Sequence, residues 1–473
     1  MKERLSISTH TINTAQWFLN DEKLVEVLTD FLHPPGERRW YAVYPFGAGK
    51  IFVKSFVEKG FLGFLRNRVS PRGRKEYVFS ERLKSLSIST PQSYGYGTGP
   101  SHSAVVQEWI DGKSFVAAFF ETKERKHLIV ALAELLKKLK LRNILHNDLH
   151  LDNVLVFNNT LYLIDLHKMK IKRSFTLRDE ISNLSHALAM IYRVMSAEEK
   201  SIFFQCYKNT EIEEEIERTL KDMHHEWICR KQRRAFDNTS KTTWMGEYLY
   251  VAGMEGYAKG TLTENIKTDK KVVVERYSDH IRKTYTNRRR LKRAWKAHIA
   301  LIYLNLPIIP RTYCLKAASF LSSGYICMED LSDRGEELDR YMDRRYDAMS
   351  ATERKHFGEG LADFFRNTFM SGVIHRDLKG CNIFALNDGT FRFLDVEDIT
   401  FREIDGSSIE NMLVQLNTTM PKRITSRDRI RFFVHLTASF GSEKKQIFRN
   451  VIRQSLGKEI VYEGVGGLRK EQW

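Results

Sequence analysis

One template occurs twice in this chain. HNDLHLDNVLVFNNTLYLIDLHK, from His146, and HRDLKGCNIFALNDGTFRFLDVED, from His375, both read H-x-D-L-x-x-x-N. Each then runs through a short apolar strand into an aspartate, Asp165 or Asp395. A segment that returns after 229 residues describes duplicated domains rather than one continuous fold. Two further pairs repeat upstream: SISTPQSYGYG with LPIIPRTYCLK, Pro91 to Pro310, and KIFVKSF with KVVVERY, Lys54 to Glu275. The expected domains are residues 1–245 and 246–473, joined near the polar stretch RRAFDNTSKTTW at 233–244. A length of 473 residues has room for both, and 42% hydrophobic with 29% charged residues excludes a disordered or multi-span membrane chain.

In the first copy WYAVYPF and KIFVKSF are β-rich runs around the turn GAG and predict a hairpin. Residues 74–87 predict a helix, SAVVQEWI a strand, and ETKERKHLIVALAELLKKLK a long amphipathic helix ahead of the repeated loop. A helical tail follows to about residue 232. This order places a small β-rich lobe beside a helical one in each copy.

The repeated loop carries the chemistry. Phosphoryl transfer needs a carboxylate near the attacking hydroxyl, a magnesium cage, and a cation on the nucleotide phosphates. Asp148 and Asp377 have the place of the first. Asn153 and Asn382, five residues on, would share magnesium with Asp165 and Asp395, since hard oxygen ligands suit that ion. His146 and His375 are expected to support the loop rather than act as bases.

These segments resemble the bacterial lipopolysaccharide kinase (Kdo/WaaP) family, a branch of the protein-kinase-like fold. LIDLHK, ending at Lys168, is similar to that family's Ile-Asp-Leu-His-Arg, the following RDEISNL to its Arg-Asp-x-x-x-x-Leu, and YICMEDL to its hinge. HRDLKGCNIF keeps the Cys that some members have four residues after the Asp, but Asn382 stands where those members carry His. The resemblance implies an α+β chain of two tandem protein-kinase-like bilobal domains, using ATP and Mg2+ to phosphorylate a sugar hydroxyl of the lipopolysaccharide core, heptose or Kdo. Within the first copy it makes Lys54 the nucleotide cation with Glu76 as ion-pair partner, and the backbone from Glu108 to Ile110 the adenine seat.

The second copy departs from this pattern. The alignment puts Glu275 at the Lys54 position and Trp295 beside Lys296 near the Glu76 position, so a swapped Glu275–Lys296 pair or a degenerate domain is expected. Asp148 is followed by Leu-His and Asp377 by Leu-Lys. A lysine there is typical of protein serine/threonine kinases, so protein phosphorylation is an alternative, and a non-catalytic kinase-like scaffold is another.

The balance of 76 basic and 59 acidic residues gives a formal charge of +17, which attracts polyanions. GFLGFLRNRVSPRGRK in the first copy and HIRKTYTNRRRLKRAWK in the second read as matching basic patches for a phosphorylated glycolipid or an anionic membrane surface. Phe61, Leu62, Phe64 and Leu65 would insert shallowly. No RNA-binding motif accompanies the aromatic residues, so nucleic acid is not the expected partner. His224 and His225 read as helix surface rather than metal ligands. Five scattered cysteines and the lack of a secretory or membrane-spanning run fit a cytoplasmic protein, peripheral on the inner membrane face.

Overall fold

The hairpin foreseen around Gly47 forms one edge of the first sheet. In the computed structural model, which describes residues 7–13, 15–29, 31, 39–58, 60–122, 124–318, 322–438 and 444–473, its strands pair from Arg39↔Phe56 to Phe46↔Gly49. Gly47 closes the turn at φ +59°, a conformation glycine adopts without a Cβ clash. For Leu62 and Arg66 the side chains lie outside the description. The chain divides into two units, Met1–Met223 and His224–Trp473.

In the first unit β1 (Ser8–Ile12), β2 (Ala15–Leu19), β3 (Arg39–Phe46), β4 (Gly49–Val57), β5 (Ser93–Thr98) and β6 (His102–Glu108) form an antiparallel sheet in the order β1-β2-β5-β6-β4-β3. The two leading strands have no counterpart in the sequence reading. On β4, Ile51 and Val53 point into a core with Trp17, Leu19 and Val106, so period-2 alternation puts Lys54 on the opposite face with Phe52 and Phe56. Helices α1 (Leu24–Thr29), α2 (Gly60–Val69) and α3 (Arg72–Ser85) belong to this part.

The helical part holds α4 (Phe115–Glu121), α5 (Lys126–Leu141), α6 (Leu177–Leu188), α7 (Ala197–Tyr207) and the first half of α8 (Glu213–Arg233), whose residues from His224 on belong to the second unit. The expected helix from Glu121 is two helices, because Thr122 is extended at ψ 130° and ends α4. Leu128, Leu132, Leu136 and Leu139 of α5 recur at helical spacing and pack on Leu151, Leu163, Leu184 and Phe203. Short strands β7 (Lys113–Ser114), β8 (Ile144–His146), β9 (Val154–Phe157), β10 (Thr160–Leu163) and β11 (Met169–Ile171) carry the first repeated loop.

In the second unit β12 (Thr242–Met245), β13 (Tyr248–Val251), β14 (Leu262–Thr268), β15 (Val272–Tyr277), β16 (Ile281–Tyr285), β17 (Thr312–Lys316) and β18 (Gly324–Met328) form a sheet in the order β12-β13-β17-β18-β16-β15-β14, with α9 (Arg288–Leu304) after β16. The remainder comprises β19 (Gly335–Glu337), α10 (Leu338–Arg345), α11 (Ala351–Met370), β20 (Val373–His375), β21 (Ile383–Leu386), β22 (Phe391–Phe393), β23 (Ile399–Phe401), α12 (Gly406–Asn417), α13 (Ser426–Leu436), α14 (Lys444–Leu456), β24 (Ile460–Gly464) and β25 (Gly467–Glu471). Its core joins Leu361 and Phe365 of α11 to Phe393, Leu413 and Leu416.

The division at Met223/His224 precedes the one expected after residue 245. Residues 224–245 are committed to the second unit's packing: Ile228 is buried with Leu301, Ala235 O accepts from the buried Trp295 Nε1 at 2.7 Å, and β12 pairs with β13. Both units mix helix and strand. Among the described residues no helix is long and apolar enough to cross a membrane.

Candidate functional site

A glycine sets the first unit's ion-pair geometry. A Cβ on Gly73 would lie 2.1 Å from Ala104 O, so only glycine lets α3 press onto β6 here, and the Gly73 N–H donates to Ser103 Oγ at 3.2 Å. One turn on, Glu76 is fully buried and meets Lys54 of β4: Nζ to Oε1 is 3.1 Å. The same Nζ lies 2.6 Å from Asp165 Oδ1. The expected Lys54–Glu76 pair is therefore present, and Asp165 joins it.

His167, whose role the sequence reading left unassigned, completes the cluster. Its Nδ1 is 2.9 Å from Asp165 Oδ1 and 3.1 Å from Glu76 Oε1. Burial opposes charge on Lys54 and His167, but the Glu76 and Asp165 carboxylates outweigh it and raise both pKa values. Burial likewise opposes ionisation of Asp165, yet the His167 and Lys54 contacts hold its carboxyl far below the usual range. Asp165 itself is left-handed at φ +59°, uncommon outside glycine and tolerated best by Asn and Asp.

The loop is held from beneath by His146 and Asn183. Asn183 takes the His146 N–H at 3.0 Å and donates to Ile144 O at 2.8 Å, while the Asp148 N–H donates to His146 Nδ1 at 3.2 Å. Burial pushes the His146 pKa down to about 4, so the ring is a neutral acceptor at pH 7. Asp148 remains partly exposed and is paired with Lys168 and with His150 Nε2 at 3.3 Å. Burial opposes its ionisation, and Lys168 more than compensates, lowering its pKa. Lys168, like His167, comes from the LIDLHK turn.

Asn153 Nδ2 donates to Asp148 O at 3.0 Å, and the Ile164 N–H donates to Asn153 O at 3.0 Å. The backbone thus ties Asn153 next to Asp165. Asn153 Oδ1 and Asp165 Oδ2 accept no hydrogen bond among the described residues, leaving two hard oxygens that fit a divalent cation such as magnesium. Glu76, Asp165 and His167 also have ligand atoms within 4.8 Å of one another, but Lys54 already bridges the two carboxylates. At the sheet's end the Glu108 N–H donates to Gln92 O at 2.7 Å, the Gln92 N–H to Glu108 Oε2 at 3.2 Å, and the Ile110 amide has no partner among the described residues.

The second unit corrects the alignment. Glu275 lies on β15, one strand away from the position equivalent to β4, and pairs with Arg282 at 3.0 Å rather than with Lys296. β16 lies between β15 and β18, as β4 lies between β3 and β6, and it presents Lys283, 2.6 Å from Asp395 and 3.0 Å from Glu397. Glu397 is fully buried and meets Arg290 of α9 at 3.0 Å. The expected charge swap therefore exists on other residues: the helix brings the cation and the loop the carboxylate. Trp295 is a core residue.

The loops of the two units agree closely. Asn382 Nδ2 donates to Asp377 O at 2.8 Å, and the Leu394 N–H to Asn382 O at 3.0 Å. Lys379 Nζ is 2.9 Å from Asp377. His375 is buried with a lowered pKa. Burial opposes ionisation of Asp395, and Lys283 outweighs it, so the carboxyl pKa is lowered.

The basic patches do not match. In the second unit Arg282, Lys283, Arg290 and Arg293 are spent on internal ion pairs with Glu275, Asp395, Glu397 and Asp398. The first unit instead inserts α2, with Phe61 and Val69 75% and 79% exposed and Phe64 and Leu65 also exposed. Leu62 lies outside the described side chains. His224 stacks on Trp227, and His225 Nε2 lies 3.5 Å from Cys229 Sγ on an exposed helix face.

A lysine kept charged beside a carboxylate, an amide oxygen tied next to it, and a second carboxylate at the mouth are the groups of a phosphotransferase. Residues 63–207 match the model of the Lipopolysaccharide kinase (Kdo/WaaP) family, and the enzyme is a phosphotransferase. The match includes Glu76, Glu108, Ile110, Asp148, Asn153 and Asp165; Lys54 and the second unit lie outside it. No curated protein sequence matches significantly. Among solved structures, the chain is similar to WaaP in complex with acyl carrier protein, at 19% identity, TM-score 0.33, over 46% of this chain and 92% of that one. It is also similar to the bifunctional kinase-methyltransferase WbdD, at 17% identity, TM-score 0.27, over 37% of this chain and 44% of that one. An aminoglycoside-3'-phosphotransferase of type VIII is similar at 17% identity and TM-score 0.27, over 36% of this chain and 86% of that one.

Proposed function

We propose that the first unit phosphorylates a sugar hydroxyl of the lipopolysaccharide core, a heptose or Kdo, and that both units are protein-kinase-like bilobal domains in tandem. The observation that carries this reading is the Lys54 ammonium bound between Glu76 at 3.1 Å and Asp165 at 2.6 Å, with Asn153 tied beside Asp165. ATP would supply the phosphoryl group, and magnesium would neutralise its charge. Lys54 would hold the α- and β-phosphates, with Glu76 and His167 fixing its position. Asn153 and Asp165 offer the cation's ligands. Ile110 offers a free N–H, and Glu108 anchors the strand end, where adenine would lie. Asp148, kept ionised by Lys168, would orient the acceptor hydroxyl and take its proton.

The exposed apolar residues of α2, with Arg68 and Arg74 nearby, support contact with a phosphorylated glycolipid or anionic leaflet, and hence a cytoplasmic protein peripheral on the inner membrane. The protein-kinase alternative rested on the lysine two residues after Asp377. Lys168 places an ammonium on Asp148 as Lys379 does on Asp377, so the lysine does not separate the substrate classes. Asp148→Ala should abolish magnesium-dependent transfer from radiolabelled ATP to core lipopolysaccharide while leaving ATP binding intact. Full transfer by that variant would refute the assignment; labelling of a protein band instead of glycolipid would favour the protein-kinase reading.

A further inference from the structure

The two clusters use the same pattern of contacts with helix and loop exchanged. In the first unit Lys54 meets Asp165 and Glu76, and Glu76 meets His167. In the second Lys283 meets Asp395 and Glu397, and Glu397 meets Arg290. Each is a lysine between two carboxylates, the buried carboxylate being shared with a second basic side chain. The lysine also has an aromatic ring two residues on: Nζ is 5.1 Å from the Phe56 centroid and 5.8 Å from that of Tyr285.

The correspondence continues to the other end of the sheet. The Glu329 N–H donates to Arg311 O at 2.8 Å and the Arg311 N–H to Glu329 Oε2 at 3.2 Å, repeating Glu108 and Gln92. Leu331, like Ile110, is buried and its amide has no partner among the described residues. At the mouth, Asp395 Oδ2 accepts nothing among the described residues, and Asn382 Oδ1 receives only the weak Cys381 Sγ donor at 3.8 Å. Stability alone does not require this arrangement, because well-packed apolar residues usually stabilise a core at least as well as buried ion pairs. The chain of charges also opens outward: the Asp395 side chain is 34% exposed, while Glu397 is fully buried.

We propose that the second unit is a second nucleoside-triphosphate site, with Lys283 for the phosphates, Asp395 and Asn382 for a divalent cation, and the Leu331 amide for the base. This rests on the kinase reading of the first unit and reverses the expectation of a degenerate domain. Glu397 is then a positioning residue, standing in for the helix carboxylate Glu76.

The test is equilibrium dialysis of the full-length chain against radiolabelled ATP with magnesium chloride, read as moles bound per mole of protein. Two are expected for the native chain, one for Lys54→Met, and one for Lys283→Met/Glu397→Gln, which removes one charge of each sign to protect folding. If that variant does not fold by circular dichroism, Asn382→Ala replaces it, with at least a tenfold affinity loss at one of the two sites. One mole that vanishes with Lys54→Met overturns the second site and upholds the first. One mole that survives Lys54→Met and vanishes with the paired substitution upholds the second site and overturns the first-unit reading. No bound ATP overturns both.

Discussion

Glu397→Gln should destabilise the second unit by about 3–5 kcal/mol, the usual cost of breaking a buried ion pair from one side. Glu397 is fully buried and accepts from Lys283 at 3.0 Å and Tyr285 Oη at 3.2 Å while facing Arg290 at 3.0 Å. Glutamine preserves the side-chain volume, so cavity formation contributes little. What is lost is the negative charge between two cations, leaving Asp395 alone to compensate Lys283. For a unit of this size each kcal/mol moves the midpoint by about 2–4 °C, so the second-unit transition in calorimetry of the full chain should fall by roughly 6–20 °C. Arg290→Met added to Glu397→Gln should cost less than the sum of the two single changes, by about 1–3 kcal/mol. A loss below about 1 kcal/mol, or strict additivity, would refute the linked-charge account.

Acid should act through His298, whose pKa is pushed down to about 3 by burial and then by Lys283. A depressed histidine pKa contributes stability that is complete above about pH 6.5 and lost as pH falls toward 3, amounting to roughly 3 kcal/mol by pH 4. His298→Gln, which keeps a partner for Thr312 Oγ1, should flatten that part of the urea-unfolding profile between pH 7 and 4; parallel native and variant profiles would count against it. Gly73→Ala should force α3 off β6, costing about 1–3 kcal/mol and weakening ATP binding through Glu76; native-like melting and binding would contradict the close approach. Phe61→Ser/Leu65→Ser should reduce binding to phosphatidylglycerol vesicles about tenfold, a shallow fraction of full apolar burial, and 0.5 M salt should weaken what remains. Unchanged vesicle binding would remove α2 from the proposed membrane contact.

Much of the site was legible because the loop's chemistry is local. Asp148 to Asn153, and Asp377 to Asn382, are joined by hydrogen bonds within five residues, so spacing alone places them. Lys283 was missed because HIRKTYTNRRRLKRAWK was read as one basic patch. It is a strand, a two-residue turn and a helix, from which Lys283 and Arg290 are turned onto the buried Glu397. A signal was present: Lys-x-aromatic occurs at Lys54–Phe56 and Lys283–Tyr285, and 229 residues separate the two lysines, as they separate His146 from His375. KVVVERY resembles KIFVKSF as a run of β-formers, and such a resemblance cannot tell a strand from its neighbour in the sheet. His167 was hidden differently, since its partners Glu76 and Asp165 come from a helix and a left-handed turn that only tertiary packing brings together.

On the proposed tandem reading, the exchange of charge between helix and loop also bears on how the two halves of the chain avoid being confused. Tandem homologous domains are prone to misassembly while folding, when one half's helix can dock on the other half's loop. Here such hybrids would repel. With α9 against the first loop, Arg290 would join Lys54 and His167 around Asp165; with α3 against the second loop, Glu76 would join Glu397 and Asp395 around a single Lys283. Either crossed pairing would crowd groups of one kind, basic around Asp165 or acidic around Lys283, whereas each correct pairing alternates them. On that reading the cluster that positions a lysine in each unit would also act as a lock that fits only its own key, sorting the halves of the chain as they fold.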